Sequence, residues 1–316
     1  MCVFFKIDIF YMPILQINNN ISNMSVNTIE STLKRVEELE NNMELLISKL
    51  QINKNMENAA ICITAGEQSE NHVGMQKNGN GLANAGFSFL ELKQFDENLK
   101  KKGINCKFYN LKEYLKHDVE DLGLVEDAAV LIIKNGLQDL CNIDSKEMLN
   151  EQLSFEWDKH YWDTRRKKVL NKLARHNLCY GVEGQEPDYE NKLGRIIALT
   201  SAPNLKKWKD SLESFFGAKA KNLELEGNLY YDVKKCGIGF HGDGERKKVI
   251  ACSLGKNRPI VWQYYYKWKA VGERIEVLLE AGDMYIMSEK ASGFDWKQKN
   301  IYTLRHAAGE KYVVKK

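Results

Sequence analysis

A chain of 316 residues with 43% hydrophobic residues and only four prolines can bury one large core or two modest ones, and its composition excludes collagenous and disordered classes. Its formal charge of +3 hides a split, −6 over residues 1–150 and +9 over 151–316. The basic half suits a polyanionic partner and equally suits a solvated lysine-rich surface.

The seven cysteines (Cys2, Cys62, Cys106, Cys141, Cys179, Cys236 and Cys252) are odd in number and widely spaced, with no Cys-x-x-Cys pair. That predicts a reducing compartment and speaks against a disulfide framework or a zinc ribbon. The N-terminal run MCVFFKIDIFYMPILQ is apolar but broken by Lys6, Asp8 and Pro13. It has neither the uninterrupted core and cleavage site of a signal peptide nor the length of a membrane span. The expectation is a soluble intracellular protein, of cytoplasm or nucleus, that engages no membrane.

Residues 1–27 form an N-terminal segment ending in an Asn/Ser-rich linker. Over 28–52, Ile29, Val36, Met43 and Leu50 recur every seven residues with Leu39 and Leu46 between them, which predicts an amphipathic helix of coiled-coil type. Two uses fit it, packing on its own chain or self-association. Over 55–145 strand and helix signals alternate: AAICITAG, the helical FSFLELKQFDENLKKKG, INCKFYNL and AAVLIIKNG. They predict a small α/β domain that carries no phosphate-loop or dinucleotide fingerprint. From 150 to 225 the charged, aromatic WDKHYWDTRRKKVLNKLARHNLCYG and then APNLKKWKDSLESFFG read as helices. From 226 onward NLYYDV, CGIGFH, KVIACSLG, PIVWQYYY, RIEVLLEAGD, MYIMSE, IYTLRH and KYVVK give about eight short strands in ninety residues. That is the pattern of an antiparallel barrel or jelly roll. The predicted class is α+β.

Chemistry concentrates in GIGFHGDGER (237–246). On a strand, His241 and Asp243 leave the same face, and Gly242 between them adds no bulk. Two histidines and a carboxylate on one face of a metal ion make the ligand set of non-haem Fe(II) oxygenases. His306, on a late strand of the same β region, is the candidate third ligand. His-x-Asp alone is a weak signal. The strand end, the late histidine and the Gly282-Asp283 turn before MYIM strengthen it. Gly237, Gly239 and Gly242 also fit a dinucleotide fingerprint, but no apolar strand precedes them and a strand, not a helix, follows.

The stretch from Asn228 to His306 resembles the AlkB-like branch of the Fe(II)/2-oxoglutarate dioxygenases: NLY shortly before HGD, the Ser253-Leu254-Gly255 strand end, the Gly282-Asp283 turn and the distal histidine stand in the family's order. Residues 150–316 are similar to uncharacterised oxygenase-like proteins of large DNA viruses and fungi that carry ARHNLC-, GFHGD-, MSEKA- and LRHA-type runs. The resemblance implies a double-stranded β-helix (jelly-roll) domain over 150–316 with flanking helices. It implies Fe(II), 2-oxoglutarate and O2 as cofactor and cosubstrates, with Asn228 and Tyr230 hydrogen-bonding the 2-oxoglutarate carboxylates. The family's Arg-x-Asn-x-x-x-Arg strand after the distal histidine is missing. Lys311 or Lys315 in GEKYVVKK is the expected replacement for its carboxylate anchor, and Arg258 is the reserve. Arg305 should point away from His306.

The implied reaction is C–H hydroxylation coupled to decarboxylation of 2-oxoglutarate, and at an N-methyl carbon the product collapses to formaldehyde and the free amine. Three classes follow: a demethylase or hydroxylase of nucleic acid, with single-stranded DNA or RNA as partner; a protein or small-molecule hydroxylase; and a non-catalytic nucleic-acid-binding module, against which the intact triad argues. Among the other residues, His72 reads as structural, His176 as a structural or substrate-facing residue in a helix, and His117 and His160 have no partner at ligand spacing. Glu245 and Arg246 are candidates for the mouth of the barrel. Trp262, Tyr264 and Tyr266 on one strand face, with Trp268 and Trp296, are candidates for stacking on a base.

Overall fold

The computed structural model describes residues 30–43, 58–115, 119 and 122–313, which fall into two units divided after Asn55. In the first unit residues 30–43 are helical (α1), and Leu33, Val36, Leu39 and Met43 are all exposed. The rest of the heptad run and the N-terminal segment lie outside the described residues. Among the described residues no helix is long and apolar enough to cross a membrane.

The second unit is a three-layer α+β structure. Its strands are β1 (Ala60–Gly66), β2 (Ser69–Glu70), β3 (Lys77–Asn78), β4 (Cys106–Asn110), β5 (Ala129–Ile133), β6 (His160–Asp163), β7 (Lys168–Asn171) and β8 (His176–Gly181), followed by β9 (Ile196–Ala198), β10 (Glu224–Tyr230), β11 (Ile238–His241), β12 (Val249–Gly255), β13 (Arg258–Tyr266), β14 (Lys269–Leu279), β15 (Met284–Met287) and β16 (Thr303–Ala308). Eight of them form one sheet in the order β4-β5-β15-β12-β1-β10-β8-β9, antiparallel except for β8 with β9. Four form a second sheet, β11-β16-β13-β14.

Alternation along the strands builds both cores. On β1, Ile61, Ile63 and Ala65 face the helices α2 (Phe89–Lys101), α3 (Gly136–Cys141), α4 (Ser145–Leu153) and α5 (Pro203–Phe216), while Cys62 faces the second sheet. Likewise Met284 and Ile286 face the helices, and Tyr285 and Met287 meet Trp262, Ile275 and Leu304 of the second sheet. The helices form where the sequence places them. Ser88 and Glu91 close a capping box at the start of α2, with Glu91 N donating to Ser88 Oγ at 3.1 Å and Ser88 N to Glu91 Oε2 at 2.7 Å. α5 begins on Pro203 and buries Leu205, Trp208, Leu212 and Phe216, one helical face.

Three expectations are corrected. Residues 55–145 do not form a sheet of their own, because β1 is hydrogen-bonded to β10 on one side and to β12 on the other, and β5 to β15. The expected boundary near 150 therefore cuts through one eight-stranded sheet. The helix expected over the WDKHYWDTRRKKVLNK stretch is the β6–β7 ribbon, followed by strand β8. Lys167 sits at φ +51 and the Asp163 carboxylate accepts from Arg166 N at 2.7 Å, so the basic run makes a reversal instead of a helical turn. Finally, KYVVK does not continue the sheet through Val313: Gly309 at φ +121 ends β16, and Glu310–Tyr312 form a 3-10 turn.

Candidate metal centre

β11 and β16 are antiparallel neighbours in which His241 stands directly opposite His306. Asp243 lies two residues beyond the end of β11. Its Oδ1 is 3.8 Å from His241 Nε2 and 3.6 Å from His306 Nε2, and the imidazole centroids are 4.4 Å apart. A ligand atom from each lies within 4.8 Å of those of the other two, so one ion can reach all three. Gly239 O, which can only accept, is 2.8 Å from His241 Nδ1. The proton is therefore on Nδ1, and Nε2 is free to ligate. Gly242 has a firmer reason than low bulk: a Cβ there would stand 1.9 Å from Gly293 O.

Burial sets the electrostatics. His306 is 7% exposed, and desolvation, with the positive fields of His241 and Arg246, holds its pKa well below the usual value. Burial pushes the Asp243 carboxyl up against the opposing pull of Arg246 and His241. Two imidazoles beside a carboxylate suit a divalent cation.

The triad opens onto a cavity of about 500 Å³ between the two sheets. Asn228 and Tyr230 face it from β10. The Asn228 amide is largely committed, however. Its oxygen accepts from Arg175 and from Asn177 Nδ2 (2.8 Å), and its nitrogen donates to Glu226 Oε1 (3.1 Å). Lys311 does not line the cavity; its amine lies 5.2 Å over the Tyr312 ring. Lys315 and His117 lie outside the described residues. Arg258 does line the cavity: it is 1% exposed, its guanidinium is 4.5 Å over the Tyr230 ring, and its Nε and Nη1 have no hydrogen-bond partner.

Of the remaining candidates, Trp262 and Tyr264 are wholly buried in the inter-sheet core, while Tyr266 stacks on Tyr302 at 4.6 Å. His176 stands on β8, not a helix, stacked on Tyr231, and His72 stacks on Tyr161 at the cavity edge. Glu245 and Arg246 line the cavity, and Arg246 binds the buried Glu226 at 2.7 Å. Glu226 is not among the site residues expected from the sequence, although it shares strand parity with Asn228 and Tyr230. Arg305 points outward, as expected, its guanidinium 4.0 Å over the Tyr265 ring.

His72 and His176 are held, chiefly by burial, at a pKa of about 4, so with His306 three histidines stay neutral in the fold. Below pH 6.5 the unfolded chain binds protons that these sites refuse, so stability rises with pH. The metal-free protein should therefore melt at a lower temperature at pH 5.5 than at pH 7. A flat or inverted profile by calorimetry would contradict the burial of these rings. The raised carboxyls of Asp243 and Glu70 act in the opposite sense, two groups against three histidines.

Fold and site thus define an α+β protein with a His-Asp-His group able to hold a metal ion. No protein-family model matches the chain. It is 43% identical over 256 residues, 80% of this chain and 97% of the relative, to an uncharacterized protein of Acanthamoeba polyphaga mimivirus. The chain belongs to the same family as that protein.

Proposed function

We propose that the protein is an Fe(II)- and 2-oxoglutarate-dependent oxygenase that oxidises a C–H bond of its substrate. The observation that carries this reading is the pairing of the His241–Asp243–His306 group with a buried guanidinium, Arg258, whose Nε and Nη1 have no hydrogen-bond partner, on the wall of the same cavity. Two imidazoles and one carboxylate leave an octahedral ion three open positions. A buried cation with two donors unsatisfied calls for an anionic ligand. A dicarboxylate that chelates the ion at one end and meets Arg258 at the other satisfies both needs.

The strand order supports a jelly roll. From β10 onward strands fall in the large sheet (β10, β12, β15) or the small one (β11, β13, β14, β16), and the closing strand of the large sheet belongs between β10 and β12. β1 occupies that place. On this reading the Arg-x-Asn-x-x-x-Arg strand is missing because its position is filled from the N-terminal side, where Cys62 and Thr64 face the cavity instead of arginines.

Bound Fe(II) with 2-oxoglutarate and O2 supplies the chemistry: one oxygen atom enters the substrate C–H bond while 2-oxoglutarate becomes succinate and CO2. In this assignment His241, Asp243 and His306 hold the ion, Arg258 takes the far carboxylate and the Tyr230 phenol adds a hydrogen bond. Val249, Ile260 and Met287 line the cavity with apolar surface that keeps water from the reacting atoms. The test is slow substrate-free turnover: anaerobically loaded protein given O2 should release succinate from 2-oxoglutarate, and His306→Ala should not. Equal succinate from both would remove the assignment.

A specific surface favours nucleic acid as the substrate class. On the face of the small sheet turned away from the core, Arg305 lies among Tyr265, Trp268 and Trp296, at 4.0, 5.5 and 5.2 Å from its guanidinium. Trp268 is 52% exposed at a hairpin tip where it and Lys267 both take positive φ, a strained placement for a tryptophan. Lys267, Lys297 and Lys299 flank it, and neither 264–272 nor 296–308 contains an acid. Aromatic rings interleaved with cations suit an unpaired strand. Binding of the full chain to single-stranded RNA or DNA should give a log–log salt slope near −2 to −3, for three or four phosphate contacts at about −0.7 each. Charge reversal at Lys267, Lys297 and Lys299 should flatten it. Binding indifferent to salt would favour a protein or small-molecule substrate.

A further inference from the structure

The run from Ser288 to Trp296, SEKASGFDW, donates no ligand to the metal group, yet its backbone touches the segments that carry all three ligands. Asp243 N donates to Ser292 O at 2.9 Å. Gly293 O lies so close to Gly242, the residue between His241 and Asp243, that a Cβ there would be 1.9 Å away. On its other side a Cβ on Gly293 would stand 2.4 Å from Leu304 O, two residues before His306. Two glycines thus permit a three-way backbone contact, and Gly293 also needs its φ of +72 to end the short helix α6 (Glu289–Ser292).

What holds this turn is a buried ion pair. Lys290 Nζ is 2.6 Å from Asp295 Oδ2, with side chains 3% and 4% exposed, and the two residues lie on either side of Gly293. Glu126, itself exposed, is the other carboxylate near the amine, at 3.4 Å. Ser288 Oγ accepts from Ala129 N at 3.0 Å and so ties the start of the turn to β5. A buried ion pair contributes little net stability over apolar residues of similar volume, because desolving both charges offsets their attraction. Its use here is geometric: it fixes the distance across Gly293.

We propose that Lys290 and Asp295 are positioning residues of the metal centre, bracing the turn that sets His241, Asp243 and His306 relative to one another. The inference rests on reading that triad as a metal site. The obvious alternative is that the pair serves only the fold.

The test compares two double variants of the full chain. Lys290→Met with Asp295→Asn removes the pair without stranding a charge. Lys134→Met with Asp283→Asn removes another 2.6 Å pair, at residues that line no part of the cavity. Both should leave the metal-free protein folded, with at most a modest shift in melting temperature. Only the first should weaken Co(II) binding, by about ten- to a hundred-fold as for other supports of metal ligands, and alter the visible spectrum of the Co(II) form. Gly293→Ala, which reaches the same contact by a different route, should act in the same direction. Wild-type affinity and spectrum in the folded 290/295 variant would overturn the brace. If wild-type protein and His306→Ala bind Co(II) alike, the metal site itself falls, and the brace with it. Should the double variant fail to fold, Asp295→Asn alone, nearly isosteric, is read by the same criteria.

Discussion

Replacing His306 by alanine should abolish stoichiometric Fe(II) binding while leaving the protein folded. The side chain is buried on β16 and faces the inter-sheet core, yet its Nδ1 has no hydrogen-bond partner, so truncation breaks no network. It leaves a small polar gap beside an existing cavity, which costs less than a void in a closed core. The metal loses much more. Disturbing an outer support of a ligand typically weakens binding ten- to a hundred-fold, and removing one of three ligands should exceed that. The measurement is metal content after anaerobic loading and desalting, beside the melting temperature of the metal-free form. One iron per chain in the variant would refute the triad. Lys311→Ala is the matched control, since its amine lies outside the cavity.

The triad was readable from sequence because its signal is local: a strand-ending His-x-Asp and a late histidine in a region of regular short strands. Gly242 was readable only in part. Its lack of bulk is plain, but its reason is the backbone of Gly293, about fifty residues away. β1 shows the limit. AAICITAG announces a buried strand, yet nothing in the run says that its neighbours are β10 and β12, because antiparallel pairing between residues so distant in the chain leaves no local trace. The same blindness produced the boundary near 150 and gave Lys311 a strand to stand on. The β6–β7 ribbon failed differently. A charged, aromatic stretch without an apolar stripe gave no period to follow, and its reversal rests on Lys167 adopting a positive φ. Arg258 stands only as a reserve in the sequence. Burial, which sequence does not give, moves it to first place.

Arg258 yields two effects of opposite sign, and together they separate a cosubstrate anchor from a structural arginine. Arg258→Met should raise the melting temperature of the metal-free protein or leave it unchanged. The wild-type guanidinium is 1% exposed with Nε and Nη1 unpaired, and an unsatisfied buried donor costs about 1–3 kcal/mol. Methionine fills much of the same volume without that cost. With Mn(II) or Fe(II) bound under anaerobic conditions, the same variant should bind 2-oxoglutarate roughly ten- to a hundred-fold more weakly, because a lost charge-assisted hydrogen bond is worth about 1.5–3 kcal/mol. Arg258→Lys should recover only part of this: a lysine restores the charge but not the planar fork that meets a carboxylate through two parallel bonds. Metal affinity should not change in either variant, since Arg258 does not belong to the ligand group. If Arg258→Met instead lowers the melting temperature and leaves 2-oxoglutarate affinity intact, the guanidinium is a core element stacked on Tyr230, and the far carboxylate is held elsewhere.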